Sequence, residues 1–291
     1  MSFETLAEGL LFPEGPIAMA DGSVILVEIA RGTLTRVWNG KVEVVSDLGG
    51  GPNGAALGPD GAVYVANNGG GVIAAGVRGQ APVPGGIDRV DLATGKAERL
   101  YAAVGGNPLS APNDLVFDRE GGFWFTDFGK ASARTRHQSG VYYVRPDGSD
   151  VQEVSFGGTG YNGIGLSPDE RTVYAAETFT GRLIAFDLDA PGKVVKGGRG
   201  GRFVGAAPGR AYFDSLAVQA NGDVCIASIA DGITTMTPAG AVRQTPLPDR
   251  MVTNICFGGA DMRDAYITMS GAGSLIRMRW PEPGLTLNFS R

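Results

Sequence analysis

Short apolar runs alternate with Gly-, Asp- and Asn-rich breaks from one end of the chain to the other. That is the pattern of many short strands joined by tight turns. Six stretches share one design: EGPIAMADGSVILVE from Glu14, NGAALGPDGAVYVAN from Asn53, NDLVFDREGGFWFTD from Asn113, NGIGLSPDERTVYAAE from Asn162, DSLAVQANGDVCIAS from Asp214 and NICFGGADMRDAYITM from Asn254. Each opens on a carboxylate or a carboxamide. Seven positions later each carries a turn-type residue: Asp21, Asp60, Glu120, Asp169, Asn221 or Asp261. An apolar β-type run follows, such as 24–27, 63–65 or 123–125. Strand, turn, strand at intervals of roughly 40 to 60 residues predicts an all-β fold, a six-bladed β-propeller, with residues 1–291 as one domain.

The outer strands follow from the same pattern. In the first blade, 33–38 and 42–45 are expected to pair across Asn39-Gly40, a hairpin signal. Later strands are expected at 87–91, 141–144, 183–187 and 201–204. The extended lead at 3–11 is expected to pair with LTLNF at 285–289 and close the ring, removing its free edges. Glu28, Asn67, Asp127, Glu177 and Ser228 end the second strands and should return to the mouth where the first strands begin. The long loops 69–86 and 128–139 belong to that same mouth, where irregular loops on a rigid scaffold shape binding sites.

Composition narrows the class. With 43% hydrophobic residues and a net charge of −5, the chain has a core to build and no basic face for nucleic acid. Cys225 and Cys256 are the only cysteines, lie in strand runs and lack zinc-type spacing. The first residues lack a basic region followed by an apolar core, and no apolar run is long enough for a membrane helix, so a cytoplasmic protein with no membrane partner is expected. A monomer or small homo-oligomer is expected.

In a propeller the first strand of each blade lines the central channel. The six opening residues then ring one mouth, Glu14 and Asp214 with carboxylates and Asn53, Asn113, Asn162 and Asn254 with amide oxygens. Turn chemistry explains any one Asn or Asp. It does not require a polar residue at the start of every copy. Hard oxygen donors with two carboxylates suit a divalent hard cation in the channel.

Several motifs identify a resemblance: LFPEGP with Glu14, APNDLVFD with Asn113, YNGIGLSPDE with Asn162, FDSLAV with Asp214, and MVTNICFGG leading to AYIT. Over essentially its whole length the chain resembles the SMP-30/gluconolactonase/LRE-like family, six-bladed propellers related to calcium-dependent phosphotriesterases. The resemblance implies Glu14, Asn162 and Asp214 as ligands of one catalytic divalent cation. Ca²⁺ is favoured, with Zn²⁺, Mn²⁺, Mg²⁺ or Fe²⁺ serving in different members. It implies Asn113 as the channel residue that meets metal, water or substrate. Three departures stand out: Ile17 where many members have Trp, Ser215 where Gly is common, and Ala111 where sugar-lactone members often carry Arg.

The sole histidine, His137, lies away from every repeat start, and no GxSxG elbow is evident, so hydrolysis has to come from the metal. The expected activity is lactone or ester hydrolysis on a small molecule by a water, with Asp214 or a carboxylate just outside the ligand set as the base and Asn113 orienting the substrate. Phosphotriester hydrolysis, in which Asp214 could attack phosphorus directly, and a non-enzymatic binding or scaffold propeller are the alternatives. Substrate contacts are expected from Asn113, Asn53, Asp127, Tyr161, Phe179 and Tyr212. With Ile17, Phe128 and Ala111 nearby, the mouth should suit a less polar ring than a sugar lactone.

Overall fold

The turn joining the first two strands of each repeat is held by the side chain that opens it. Asp21 Oδ1 accepts the N–H of Ser23 at 2.9 Å, Asp60 that of Ala62 at 3.2 Å, Asp169 that of Arg171 at 3.0 Å, Asn221 that of Asp223 at 3.0 Å and Asp261 that of Arg263 at 3.3 Å. The third repeat differs. Its turn is capped by Asp118, which accepts the N–H groups of Glu120 and Gly122, whereas Glu120 pairs with Arg145. Asp is short enough to bond the backbone two residues on, which the sequence register at Glu120 conceals.

In the computed structural model, which describes residues 2–71, 79–132, 134–149, 151–209 and 211–290, these turns join strands into six antiparallel sheets. The inner strands are Pro13–Ala18, Pro52–Leu57, Pro112–Phe117, Tyr161–Leu166, Tyr212–Val218 and Val252–Gly258. Each packs against the next, and the sixth packs against the first, so the blades close a ring. The expected outer strands are present, among them Thr33–Trp38 and Lys41–Asp47 across Asn39 and Gly40, whose φ angles of 50° and 72° are those of a hairpin turn with two left-handed residues. Among the described residues there is no α-helix, and the one helical turn is a 3-10 turn at Gly198–Gly200. Part of the expected 69–86 loop, at 72–78, lies outside the described residues.

Ring closure differs from the sequence expectation in its partner. Glu4–Ala7 pairs antiparallel with Ser274–Arg279, not with 285–289. Pro281 and Pro283 follow that strand, and Pro cannot continue a ladder. The tail instead runs under the far end of the channel, where Leu285 N–H donates to Val218 O at 2.9 Å, Asn288 Nδ2 donates to Phe117 O at 3.2 Å, and the Phe289 ring meets Phe117 edge-on at 5.8 Å.

The core is divided among the gaps between blades. Val27 and Val65 fill the gap between blades 1 and 2, and Tyr64, Phe117 and Phe123 that between 2 and 3. Trp124, Tyr161 and Phe186 follow, then Leu183, Phe213 and Ile226, then Ile233, Ile267 and Trp280. Leu26, Tyr266 and Leu275 close the circle. Burial of this kind contributes about 25 cal/mol per Å² wherever it occurs, so stability is spread around the ring and is not concentrated at the channel.

Candidate active site

Every inner strand carries a one-residue irregularity at the same place. The register slips between Glu14 and Ile17, Pro52 and Gly54, Pro112 and Leu115, Tyr161 and Ile164, Phe213 and Leu216, and Val252 and Asn254. A β-bulge re-aims the side chains it contains. Six in register gather Glu14, Asn53, Asn113, Asn162, Asp214 and Asn254 at one mouth, each buried. Hydroxyls at the blade joins fix the tier. Ser270 Oγ donates to Pro13 O at 2.6 Å, Thr178 Oγ1 donates to Phe213 O at 2.6 Å, and Thr126 Oγ1 donates to Asn162 O.

Small residues next to the opening residues let the blades approach. A Cβ on Gly54 would stand 2.5 Å from both Asn113 O and Asp114 Oδ1, and one on Gly163 would stand 2.5 Å from Leu216 N. Backbone atoms cannot move aside for a methyl group. Gly54→Ala is therefore expected to cost about 1–3 kcal/mol, an overpacking penalty, and to displace Asn113 and Asp114. Thermal unfolding and activity would both fall, while Gly200→Ala, with open space around its Cβ, would leave both unchanged. Equal behaviour of the two variants would show that the tier tolerates a wider ring.

Asp114 is the site residue that the repeat pattern passes over. It follows Asn113 where other copies have Gly15, Gly54, Gly163, Ser215 and Ile255, so no periodic signal marks it. It is buried, accepts Leu115 N–H at 2.9 Å, and its charge acts on both Glu14 and Asp214. Burial pushes its pKa up to about 7. Burial also pushes Asp214 up to about 7, with the Asp114 charge adding and a hydrogen bond from Asn162 opposing. Glu14 is raised well above the usual carboxylate range by burial, then by the Asp214 charge, against hydrogen bonds from Asn254 and Gly15. No Lys or Arg pairs with Glu14, Asp114 or Asp214 among the described residues.

The amides divide by their hydrogen bonds. Asn254 Nδ2 donates to Glu14 Oε2 at 2.8 Å, and its Oδ1 takes Ile255 N–H at 2.7 Å, so it steadies Glu14 and offers no free oxygen. Asn162 Nδ2 donates to Thr178 Oγ1 at 3.2 Å, and only a long 3.5 Å contact from Ser215 Oγ reaches its Oδ1. Asn113 Oδ1 is fully buried with no hydrogen-bond partner. An unpaired buried acceptor costs roughly 1–3 kcal/mol, which a ligand recovers. Among the described residues no three His, Cys, Asp or Glu side chains gather to hold a metal by themselves. A cation there must draw on carboxylate and amide oxygens together, a donor set suited to a hard divalent ion.

The other expected contacts separate. The Asp127 carboxylate accepts N–H from Ser110 at 2.6 Å, Ala111 at 2.7 Å and Gly129 at 3.0 Å, so it clamps the chain leading into Asn113. Tyr161 is buried between blades 3 and 4 against Phe186 and faces away from the mouth. Phe179 is 45% exposed on the rim, with Phe128 at 5.4 Å and Tyr212 at 6.5 Å. Ile17 lines the channel with Leu115, Ile164 and Leu216, in a mostly apolar cavity of about 90 Å³ that Asp114 and Asn254 also line, with Leu285 and Phe289 of the tail.

A closed ring of six blades with acids and amides bulged into one mouth defines a propeller of the channel-site class. More particularly, the chain belongs to the SMP-30/Gluconolactonase/LRE-like family, which it matches over residues 12–271. It is 24% identical to a gluconolactonase of Zymomonas mobilis subsp. mobilis, over 95% of this chain and 80% of that one. It is 39% identical over 104 residues to the lactonase drp35 of Staphylococcus saprophyticus, a stretch spanning 36% of this chain and only 31% of that protein. Its fold superposes on a gluconolactonase from Xanthomonas campestris with a TM-score of 0.77 at 25% identity, covering 96% and 89% of the two chains. The calcium-binding protein regucalcin from Agrobacterium tumefaciens shares the fold, with a TM-score of 0.77 at 20% identity and 98% of each chain covered.

Proposed function

We propose that this protein is a divalent-metal-dependent lactonase whose substrate is less polar than a sugar lactone. The observation that carries the reading is one mouth in which three buried acids lack a cationic partner beside an amide oxygen, Asn113 Oδ1, that lacks any partner. A hard cation answers both deficits. Glu14, Asn162 and Asp214 would hold it, with Ca²⁺ favoured by the oxygen donors and neutralised by the two carboxylates. When bound, it supplies Lewis-acid polarisation of the ester carbonyl.

The chain's own groups do the rest. Asp214 accepts the proton of the attacking water at a carboxylate oxygen, a role that a pKa brought near neutrality suits. Asn113 orients the substrate through its amide. Asn254 holds Glu14 in place through its 2.8 Å bond. Asn53 completes the ring at the blade that separates Glu14 from Asn113. The gluconolactonase and lactonase relatives support ester-ring opening as the reaction.

The substrate reading rests on the rim. Ala111 supplies no donor for ring hydroxyls, while Phe179, Phe128 and Tyr212 present aromatic surface. Packing an apolar substituent against such surface is worth about 1–3 kcal/mol, and a sugar hydroxyl left unpaired costs a similar amount. The metal-replete protein should therefore show kcat/KM at least about tenfold higher for an alkyl- or aryl-substituted lactone than for gluconolactone. Chelation should abolish both activities. Faster turnover of gluconolactone than of every hydrophobic lactone would restore a sugar substrate. Activity indifferent to chelation would remove the metal, and turnover of a phosphotriester alone would move the chemistry to phosphorus.

A further inference from the structure

Electrostatics at the mouth point to one more feature of the substrate. The chain carries a net charge of −5, and Arg31, Arg36, Arg89, Arg99, Arg145 and Arg277 are among those paired with acids. Cations without an ion pair occur elsewhere among the described residues, Arg171, Arg199, Arg243 and Arg250 among them, and the loop 128–138 differs by where it lies, beside the chain leading into Asn113. It contains Lys130, Arg134, Arg136 and His137 and no acidic residue. None of the four forms an ion pair among the described residues.

The loop is fixed on the chain that leads into Asn113. Lys130 N–H donates to Ser110 Oγ at 3.0 Å, Ser110 Oγ also meets His137 Nδ1 at 2.8 Å, and His137 N–H donates to Lys130 O at 2.8 Å. Two of its cations reach in opposite directions from blade 3. Lys130 Nζ reaches toward blade 2, 3.0 Å from where a Cβ on Gly69 would stand. The Arg136 guanidinium lies over the Phe179 ring of blade 4 at 3.9 Å and over Phe128 at 5.4 Å. Phe179 follows Thr178, whose hydroxyl holds Asn162 and Phe213 O, so the ring that carries the guanidinium is anchored one residue from the acid and amide tier. The same pair of rings roofs Gly160, where a Cβ would meet Phe179 at 2.7 Å and Phe128 at 3.1 Å.

Stacking fixes the plane of a guanidinium while leaving its N–H fork free. A fixed fork with no internal carboxylate is a receptor for an external one. We propose that Arg136, assisted by Lys130, is a specificity-determining clamp for a carboxylate borne by the substrate lactone. The lactone ring lies against Phe179 and Tyr212 while its ester carbonyl reaches the Asn113 tier. This deepens the lactonase reading and rests on it: the lactone ring itself stays poor in hydroxyls, against the aromatic rim, and the carboxylate is its one charged substituent. It also places a guanidinium at the mouth by a route other than position 111, where the chain has Ala.

The test uses a γ-butyrolactone bearing a carboxylate on its ring and the methyl ester of the same compound. Wild-type, metal-replete protein is expected to favour the carboxylate by at least about tenfold in kcat/KM, a preference that added salt erodes. Arg136→Gln should abolish that preference by raising KM with kcat within about twofold, and should leave the methyl ester unchanged within about twofold. Arg136→Lys should restore part of it, and Lys130→Gln should weaken it less. Equal turnover of the two lactones by wild-type protein, or an equal loss on both in Arg136→Gln, overturns the clamp.

A binding arm separates this inference from the lactonase reading. Cyclopentanone carboxylate has the same shape and no ester to cleave. Calorimetric binding of it that weakens at least about tenfold in Arg136→Gln, with no lactone hydrolysed by any variant, upholds the anion clamp and sinks the lactonase. Hydrolysis of the methyl ester with no binding of the ketone acid upholds the lactonase and sinks the clamp.

Discussion

Asp214→Asn and Glu14→Gln are expected to lose lactone turnover by about a thousandfold or more, because each removes a charge from the proposed oxygen set and, at Asp214, the proposed proton acceptor as well. Bound metal should be lost with it. An amide of the same shape keeps the packing, so folding should survive: the apolar clusters fill the gaps between blades, and none depends on the tier. Relief of acid repulsion acts in the same direction. Glu14 is raised by the charge of Asp214, so deleting that charge removes an unfavourable contact in the metal-free protein. The metal-free variants should therefore melt at or above the metal-free parent, whereas only the parent gains stability when the cation is added. Metal analysis of the purified proteins, with melting curves before and after chelation, checks the expectation. Variants that retain both metal and turnover would place the centre elsewhere in the ring.

Asp114 makes the same point from the opposite side, and shows what the sequence could and could not reveal. The six openings were legible because each repeat spends its first polar residue at the same place, seven positions before a turn residue. Periodicity of that kind reports the inner strands, the turn and the mouth together. It does not report a bulge, since the irregularity lies in the pairing and leaves the alternation of residues intact on either side. Asp114 owes its position to the bulge and has no counterpart in the other copies, so the pattern is silent on it. The amide orientations were hidden for a related reason. Asn254 and Asn113 look alike in the chain, yet Asn254 spends both ends of its amide on Glu14 and Ile255, while Asn113 keeps an unpaired oxygen. Asp127 ends its strand at the expected mouth, but the three N–H groups it accepts come from Ser110 and Ala111, just ahead of the inner strand of its blade, and from Gly129, two residues on. The tail misled through local pattern: LTLNF alternates like a strand, while the two prolines before it carry the chain away from the sheet edge and under the channel. In each case the missing information was a long-range contact, and the mouth was legible only to the extent that it was built by repetition.

Stability of the metal-free protein is expected to fall as pH rises from about 4 to about 8, and the stabilisation by an added divalent cation is expected to grow over the upper part of that range. The sign follows from the acids. Asp114 and Asp214 sit near 7 in the folded chain, against an ordinary carboxylate value of about 3.9 when unfolded. The folded state thus binds protons that the unfolded state has released. Folding carries no penalty from these groups below the unfolded value. The penalty builds as pH climbs toward the folded values and is complete above them, on the order of a few kcal/mol for each group. Glu14 moves in the same direction, since burial and the Asp214 charge raise it. A divalent cation reverses the penalty because it binds the ionised forms, so its binding releases protons and tightens with pH through about 7. Melting temperatures with chelator and with Ca²⁺, taken between about pH 5.5 and 8.5, should converge at the acid end and separate by several degrees at the alkaline end. Proton release on Ca²⁺ binding, measured by calorimetry in two buffers of different ionisation enthalpy, should exceed zero near neutrality and shrink above it. A gap between the two melting curves that is the same at every pH would mean that the cation binds away from Glu14, Asp114 and Asp214. A metal-free protein whose melting temperature rises with pH would mean that the three acids are not held in the unpaired, buried state on which the proposed chemistry depends.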